Sequence, residues 1–256
     1  MTSLFVEGRE YLTDPELLLF DKDGTIIDIH HYWTSMIKIR AGLVSDKWFE
    51  NSAGRDEVTD TLMDAMGVDL ASWRMKPEGP VGVKSRPEIV NIAANVVRGH
   101  GVEITDSDME EVFGQADDIS AEDLLPLLKI LPGVLEFLQS AKSNGIKLAI
   151  VSTDLVDRSK RALAALEIAH LFDAVFGGNS VKTTKPAPDM AQLAVKECGS
   201  QYAKTVVFGD HPVDMKMGLN AGVGGVVGVL TGIAHPQQFS EYGCPIVKDF
   251  TKLSLK

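Results

Sequence analysis

The sequence predicts an α/β fold, a parallel sheet covered by helices and split in sequence by a mainly helical insert. Three observations predict it. Leu17 to Phe20 are four apolar residues, the length of a strand buried on both faces, and the run stops abruptly at Asp21, Asp23, Gly24 and Thr25. From residue 130 onward, apolar runs of strand length alternate with single amphipathic helices, the order that gives a parallel sheet with right-handed crossovers. Between these parts, residues 29–129 space their apolar side chains at three and four, as helices do.

The first stretch, LLLFDKDGTIID from Leu17 to Asp28, delivers two acids to the end of a buried strand. In an open parallel sheet, ligands bind in the crevice beyond the carboxyl ends of the strands, so Asp21 and Asp23 are expected at its floor. A side-chain period of two aims both carboxylates the same way and Lys22 to the other side. Like charges this close resist joint ionisation unless a cation neutralises them or one keeps its proton. This favours a divalent ion beside Asp21 and an acid–base role for Asp23.

At 256 residues and 45% apolar, the chain is long enough for two modest domains. Its formal charge of −11 argues against a nucleic-acid or anionic-membrane partner, while a metal and a few local cations still permit an anionic substrate in a cleft. Cys198 and Cys244 have no CxxC spacing, so neither a disulfide framework nor a zinc site is indicated. MTSLFVEGREYL has acids where a secretory signal needs a basic start, and no apolar segment reaches about 18 residues. A cytoplasmic protein is the resulting expectation.

In order, SLFVEG and REYL suggest a short extra strand or hairpin at the sheet edge. After Asp28 come four amphipathic segments, HHYWTSMIKIRAGLVSDKWF, GRDEVTDTLMDAMGV, SRPEIVNIAANVVRGHG and SDMEEVFGQADDI, interrupted by a brief VGV near Val83. Pro132 and Gly133 begin the return to α/β order. The helix PGVLEFLQSAKSNG precedes the strand KLAIVS, and DRSKRALAALEIAHLF precedes the short strand AVFGG. PAPDMAQLAVKECG leads to TVVFGD, PVDMKMGLNAG leads to GGVVGVL, and PIVKDF adds a last strand. The expected core is therefore 1–28 joined to 130–256, with 29–129 placed over the crevice as a cap.

DKDGT resembles the first motif, DxDGT, of the haloacid dehalogenase-like superfamily, in the branch that hydrolyses phosphate monoesters. Three further motifs follow in the order that the resemblance requires: KLAIVS ending at Ser152, Lys185 in TTKPAPD, and TVVFGDHPVD with Asp210 and Asp214. The resemblance implies a Rossmann-like parallel sheet core with a helical cap that closes over the active site. It implies that Asp21 is the nucleophile, forming an aspartyl-phosphate, and that Asp23 is general acid and then base. Ser152 and the backbone N–H of Thr153 would bind phosphoryl oxygens, Thr25 would help at the substrate, and Lys185 would neutralise the nucleophile and the transferring group. Asp21, the backbone carbonyl of Asp23 and Asp210 would hold Mg2+, with Asp214 orienting a metal-bound water or Lys185.

Plainer roles stand beside these. Asp21 would suit a helix-capping turn, Gly24 and Thr25 a sharp strand exit, Ser152 a helix N-cap, Lys185 a solvated surface, and Asp214 a helix dipole. His30, His31, Tyr32 and Trp33 either line the substrate cavity or divide into cap core and surface histidines, with no metal partner at ligand spacing. Lys84 and Arg86, cations in a loop between cap helices, are candidates for gripping an anionic part of the substrate. Lys22 departs from the Leu that many members of the phosphoglycolate-phosphatase and β-phosphoglucomutase branch carry, and is expected to leave catalysis undisturbed.

The expectation is a magnesium-dependent phosphatase acting on a small phosphorylated metabolite. A phosphomutase of the same fold is the nearest alternative, since the motifs do not separate the two. A phospho-accepting signalling module is the alternative of another class, but such modules lack a long helical insert and the second acid.

Overall fold

The computed structural model describes residues 2–81 and 84–256. A hairpin, β1 (Ser3–Val6) and β2 (Arg9–Thr13), precedes β3 (Leu17–Phe20), α1 (Ile29–Phe49), α2 (Arg55–Ala65), β4 (Val68–Asp69) and β5 (Arg74–Met75). There follow α3 (Arg86–Gly99), α4 (Asp106–Glu122), α5 (Val134–Ser143), β6 (Lys147–Val151), α6 (Val156–Ala165) and β7 (Ala174–Phe176). The chain ends with α7 (Asp189–Cys198), β8 (Thr205–Gly209), α8 (Pro212–Ala221), β9 (Gly225–Val229), β10 (Ile246–Val247) and β11 (Leu253–Leu255). It divides into two compact units, Met1–Ile29 with Leu128–Lys256, and His30–Leu127.

The first unit is built on a six-stranded sheet in the order β10-β9-β8-β3-β6-β7. Its pairings are parallel throughout, as the alternation of strand and helix predicts. β3 lies between β6 and β8, and Phe20 stands level with Ile150 and Phe208. The residues that follow these three strands, Asp21, Ser152 and Asp210, are therefore delivered to one edge of the sheet. All four residues of β3 are fully buried, each side chain contributing about 2 kcal/mol on removal from water. Leu17 and Leu19 pack with Val207, Met190 and Met215. Phe20 joins an aromatic group, stacked on Phe208 at 5.1 Å with Phe137 and Phe250 around it.

The hairpin β1–β2 does not extend this sheet, as the sequence suggested. It forms a separate antiparallel sheet in the order β11-β1-β2. β11 was not expected, because three residues are too few to show a period. Tyr11 ties the hairpin to β9, its hydroxyl donating to the Val226 carbonyl and accepting from the Val226 N–H, both at 3.0 Å.

The second unit contains α1 to α4 and an antiparallel pair, β4 and β5, with Val68 opposite Met75. This pair corrects the expectation of an insert without strands there, and two-residue strands carry no readable alternation. Of the VGV segment, Gly82 and Val83 lie outside the described residues. α3 starts at a capping box in which the Ser85 N–H donates to Glu88 Oε2 at 2.9 Å, and Thr105 with Asp108 does the same for α4 at 2.7 Å.

Within the first unit, the chain segments that leave for and return from the second run side by side. The Asp28 N–H donates to the Lys129 carbonyl at 2.8 Å, the Leu131 N–H to the Ile26 carbonyl at 3.0 Å, and Ile27 faces Ile130 in an antiparallel bridge.

Candidate active site

Asp21 extends the ladder one residue past β3, its N–H donating to the Phe208 carbonyl at 2.9 Å. The chain then turns sharply: the Lys22 carbonyl accepts from Ile26 at 2.9 Å and Ile27 at 3.0 Å, and Gly24 donates to Ile27 at 2.7 Å. Gly24 has φ +87° and the Asp210 carboxylate fills the place of a Cβ, so this position requires glycine on two grounds. The strand ends at Phe20, and the period of two ends with it. Lys22 therefore does not point to the far side as expected; its ammonium reaches the carboxylate of Asp23.

Asp21, Asp210 and Asp214 bring carboxylate oxygens within 4.8 Å of one another. Lys185, from the loop between β7 and α7, places Nζ 2.6 Å from Asp21 Oδ1 and 2.6 Å from Asp214 Oδ1. Its side chain is 1% exposed, so the surface role does not apply. Asp214 sits in the first turn of α8, where its Oδ2 accepts the His211 N–H at 3.1 Å while Oδ1 holds Lys185. Helix capping and lysine orientation are thus combined in one side chain.

Three carboxylates face one ammonium, and the electrostatics show the imbalance. Burial pushes the Asp210 carboxyl well above the ordinary range, Asp21 and Asp214 add to the shift, and Lys185 opposes it. Burial raises Asp214 too, against Lys185. Burial pulls the Lys185 ammonium down, but Asp21 and Asp214 outweigh it and the group is held firmly protonated. A convergent set of hard oxygen donors with surplus negative charge suits a small divalent cation such as Mg2+. The residues present fit that ion.

Thr25 is fully buried and its hydroxyl donates to Asp210 Oδ1 at 3.3 Å. In the structure the contact its side chain makes is with Asp210, which places Thr25 behind the acid cluster. A second support for Asp210 has no motif. After β9, the Thr231 hydroxyl donates to the Gly24 carbonyl at 2.5 Å, and Asp210 fills the place of a Cβ on Gly232. The only sequence signal is a Thr-Gly turn after an apolar strand, GGVVGVL, which repeats the pattern of the first motif.

Asp23 stands apart from the three acids; its expected ligand atom is its backbone carbonyl. Burial raises its carboxyl above the ordinary value, Lys22 opposes and Asp21 adds, although the side chain keeps 34% exposure. Lys22 is 7% exposed, with Nζ 2.8 Å from Asp23 Oδ2 and 3.1 Å from Asp154 Oδ2. Sequence reasoning named Lys22 only as a departure from the family's Leu and did not single out its pairing or Asp154, although an ammonium between two acids in DKD was a visible signal.

Ser152 is buried, its Oγ accepting from the Asp154 N–H at 3.2 Å. α6 begins at Val156 with Leu155 at its cap, so Ser152 is not the helix N-cap. Thr153 beside it is exposed.

In the second unit, Arg86 lies 2.7 Å from Glu110 and also pairs with Asp117, so two carboxylates of α4 already engage it. Lys84 is exposed. His30 is buried, with Nδ1 accepting the Met75 N–H at 3.1 Å, and His31 Nε2 donates to the Pro126 carbonyl at 3.0 Å. The histidines are thus tied into the unit rather than simply surface residues. Tyr32 and Trp33 meet edge to face at 5.2 Å. Arg40, which the sequence did not single out, is buried over the Phe113 ring at 4.6 Å and pairs with Asp117 at 3.1 Å.

Comparison with known proteins adds four relationships. The family model of haloacid dehalogenase-like hydrolases matches residues 15–222. The chain is similar to a probable phosphatase, IndB, of Dickeya dadantii, with 29% identity over 91% of this chain and 89% of that one. It is also similar to a phosphoglycolate phosphatase of Aquifex aeolicus, 28% identical over 49% of this chain and 59% of that protein. A solved structure of a candidate β-phosphoglucomutase from Thermotoga maritima shares the fold, with a TM-score of 0.65 and 21% identity over 91% of this chain and 94% of that one.

Proposed function

The chain belongs to the haloacid dehalogenase-like hydrolase family, and from that membership we propose that it is a magnesium-dependent phosphatase that hydrolyses a small phosphate monoester through an aspartyl-phosphate on Asp21. The observation that carries this reading is the buried Lys185 held 2.6 Å from both Asp21 and Asp214, with Asp210 in the same cluster.

Asp21 attacks phosphorus while Asp23 gives its proton to the leaving oxygen, so the ester P–O bond breaks and an alcohol departs. Asp23, now a carboxylate, takes a proton from a water that attacks the aspartyl-phosphate, which returns Asp21 and releases inorganic phosphate. Lys185 offsets the charge gathering between Asp21 and the phosphoryl oxygens, and does so from a dry site where the attraction is strong. Ser152 Oγ and the Thr153 N–H bind and orient the phosphoryl group. Mg2+, when held by Asp21, the Asp23 carbonyl and Asp210, supplies Lewis-acid neutralisation of that group.

The substrate class follows from the relatives' names, a phosphatase and a phosphoglycolate phosphatase, and is a small phosphorylated metabolite. A signalling module is disfavoured by the hydrolase family match. The test is phosphate release from a panel of small monoesters, with and without Mg2+, together with borohydride trapping of the phosphorylated carboxylate. Magnesium-dependent release with the trapped label on Asp21 is expected. Full activity after exhaustive removal of divalent ions, or a label elsewhere, would overturn it.

A further inference from the structure

We propose that Lys22 is a positioning residue: its ammonium, braced by Asp154, holds the Asp23 carboxylate in the orientation from which it serves the leaving oxygen. The inference rests on the reading of Asp23 as general acid and base.

A lysine 7% exposed is costly in any fold unless it is paired, and Lys22 is paired twice. Both partners leave the ends of adjacent parallel strands, Asp23 after β3 and Asp154 after β6. Asp154 is itself held by three hydrogen bonds. Its Oδ1 accepts from Leu155 at 2.8 Å, its carbonyl accepts from Gly178 at 2.8 Å, and its N–H donates to Ser152 Oγ at 3.2 Å. Its Oδ2 is left for Lys22 at 3.1 Å, and the same ammonium lies 2.8 Å from Asp23 Oδ2.

The contact with Asp23 distinguishes that residue's two oxygens. A proton on Oδ2 would point at the N–H bonds of Lys22, so Oδ1 is the oxygen that carries the transferable proton. A carboxylate with one oxygen clamped has lost the rotation that would move the other away. The Ser152 loop and the acid–base residue are thereby linked through one side chain, so the group that binds the phosphoryl oxygens and the group that protonates the leaving oxygen keep a fixed separation.

The test exploits leaving groups. An alkyl phosphate requires a proton on its departing oxygen, whereas p-nitrophenyl phosphate releases a phenolate that requires none. Asp23→Asn is the reference and is expected to lose about 10²–10⁴-fold on the alkyl ester and far less on the nitrophenyl ester. Lys22→Met, which keeps the length and removes the charge, is expected to reproduce the selectivity with a smaller loss, about 10-fold or more on the alkyl ester alone. The double variant is expected to lose nothing beyond Asp23→Asn. If Lys22→Met fails to fold, Asp154→Asn removes the brace from a side chain that is 24% exposed, and the same selective loss is expected.

Equal losses on the two esters in a folded Lys22→Met or Asp154→Asn, or no loss on either, would overturn the role of Lys22 while Asp23→Asn remained selective. An Asp23→Asn variant with no leaving-group selectivity would overturn the acid reading itself, and the role of Lys22 with it.

Discussion

Lys185 Nζ lies 2.6 Å from Asp21 Oδ1, and the two are brought together from opposite parts of the chain by the sheet edge. The same nitrogen holds Asp214, so removing it takes the ammonium away from two carboxylates of the cluster. Lys185→Met is expected to lower kcat about 10²–10³-fold, the cost of removing one preorganised charge from a reacting centre. In chelator it is also expected to cost about 3–5 kcal/mol in urea unfolding. Normal phosphate release by this variant would remove Lys185 from the chemistry.

Asp210 behaves in the opposite sense. Burial, then Asp21 and Asp214, hold its folded-state carboxyl above the unfolded value, so its ionised form opposes folding at neutral pH. Without divalent ions, this contribution predicts that wild-type stability increases as pH falls from neutrality toward the unfolded carboxyl value. Asp210→Asn is expected to flatten that increase and to raise Tm at neutral pH, by about 2–4 °C per kcal/mol relieved. Mg2+ at 100 times its Kd should stabilise wild type by about 2.7 kcal/mol and the variant much less, as thermal melts with and without the ion would show.

The two cap cations are expected to separate. Arg86 already bridges Glu110 and Asp117, so Arg86→Ala should cost about 1 kcal/mol of stability and affect a metabolite ester and p-nitrophenyl phosphate alike. Lys84→Ala should leave Tm unchanged and raise KM for the best metabolite substrate only. Parallel effects of Lys84→Ala on both esters would withdraw the specificity role.

Asp173 offers a prediction remote from the chemistry. Its Oδ2 accepts the Leu148 N–H at 2.8 Å and lies 2.9 Å from Lys142. Burial raises its carboxyl, but that backbone bond and Lys142 outweigh it and hold it below the ordinary value. A depressed carboxyl stabilises above its unfolded value of about 3.9 and ceases to do so as pH falls through the folded one. Asp173→Ala is expected to cost about 1 kcal/mol at pH 7, with the gap from wild type closing below pH 4 in urea titrations.

The sheet and the four motifs were legible because each strand ends where its apolar run ends. LLLF, KLAIV and TVVFG stop one residue before Asp21, Ser152 and Asp210, and register does the rest. What was not legible depends on the chain leaving regular geometry. Lys22 was assigned to the wrong side by a strand period that had ended at Phe20. Gly232 and Thr231 act through backbone approach from a loop far along the chain, and no local spacing encodes that. The bond from Thr25 to Asp210 is likewise not legible, because a hydroxyl in a motif reads the same whether it faces a ligand or a buried neighbour.

The central place of β3 in the sheet also sets an order of events during synthesis. Leu17 pairs with Lys147 on one side and Thr205 on the other, so neither neighbour exists when β3 leaves the ribosome. β6 is made first, and translation at about 5–20 residues per second leaves the β8 side of β3 open for about 10–40 s. The second unit has no such delay: α2 packs on α3, α3 on α4, and α1 pairs with α4 through Arg40 and Asp117, all within one continuous stretch that is complete before β6 is made. A nascent chain with a folded middle and an LLLF strand still open on at least one side is the species that chaperones must shield, and slowing elongation between residues 130 and 205 would lengthen its exposure.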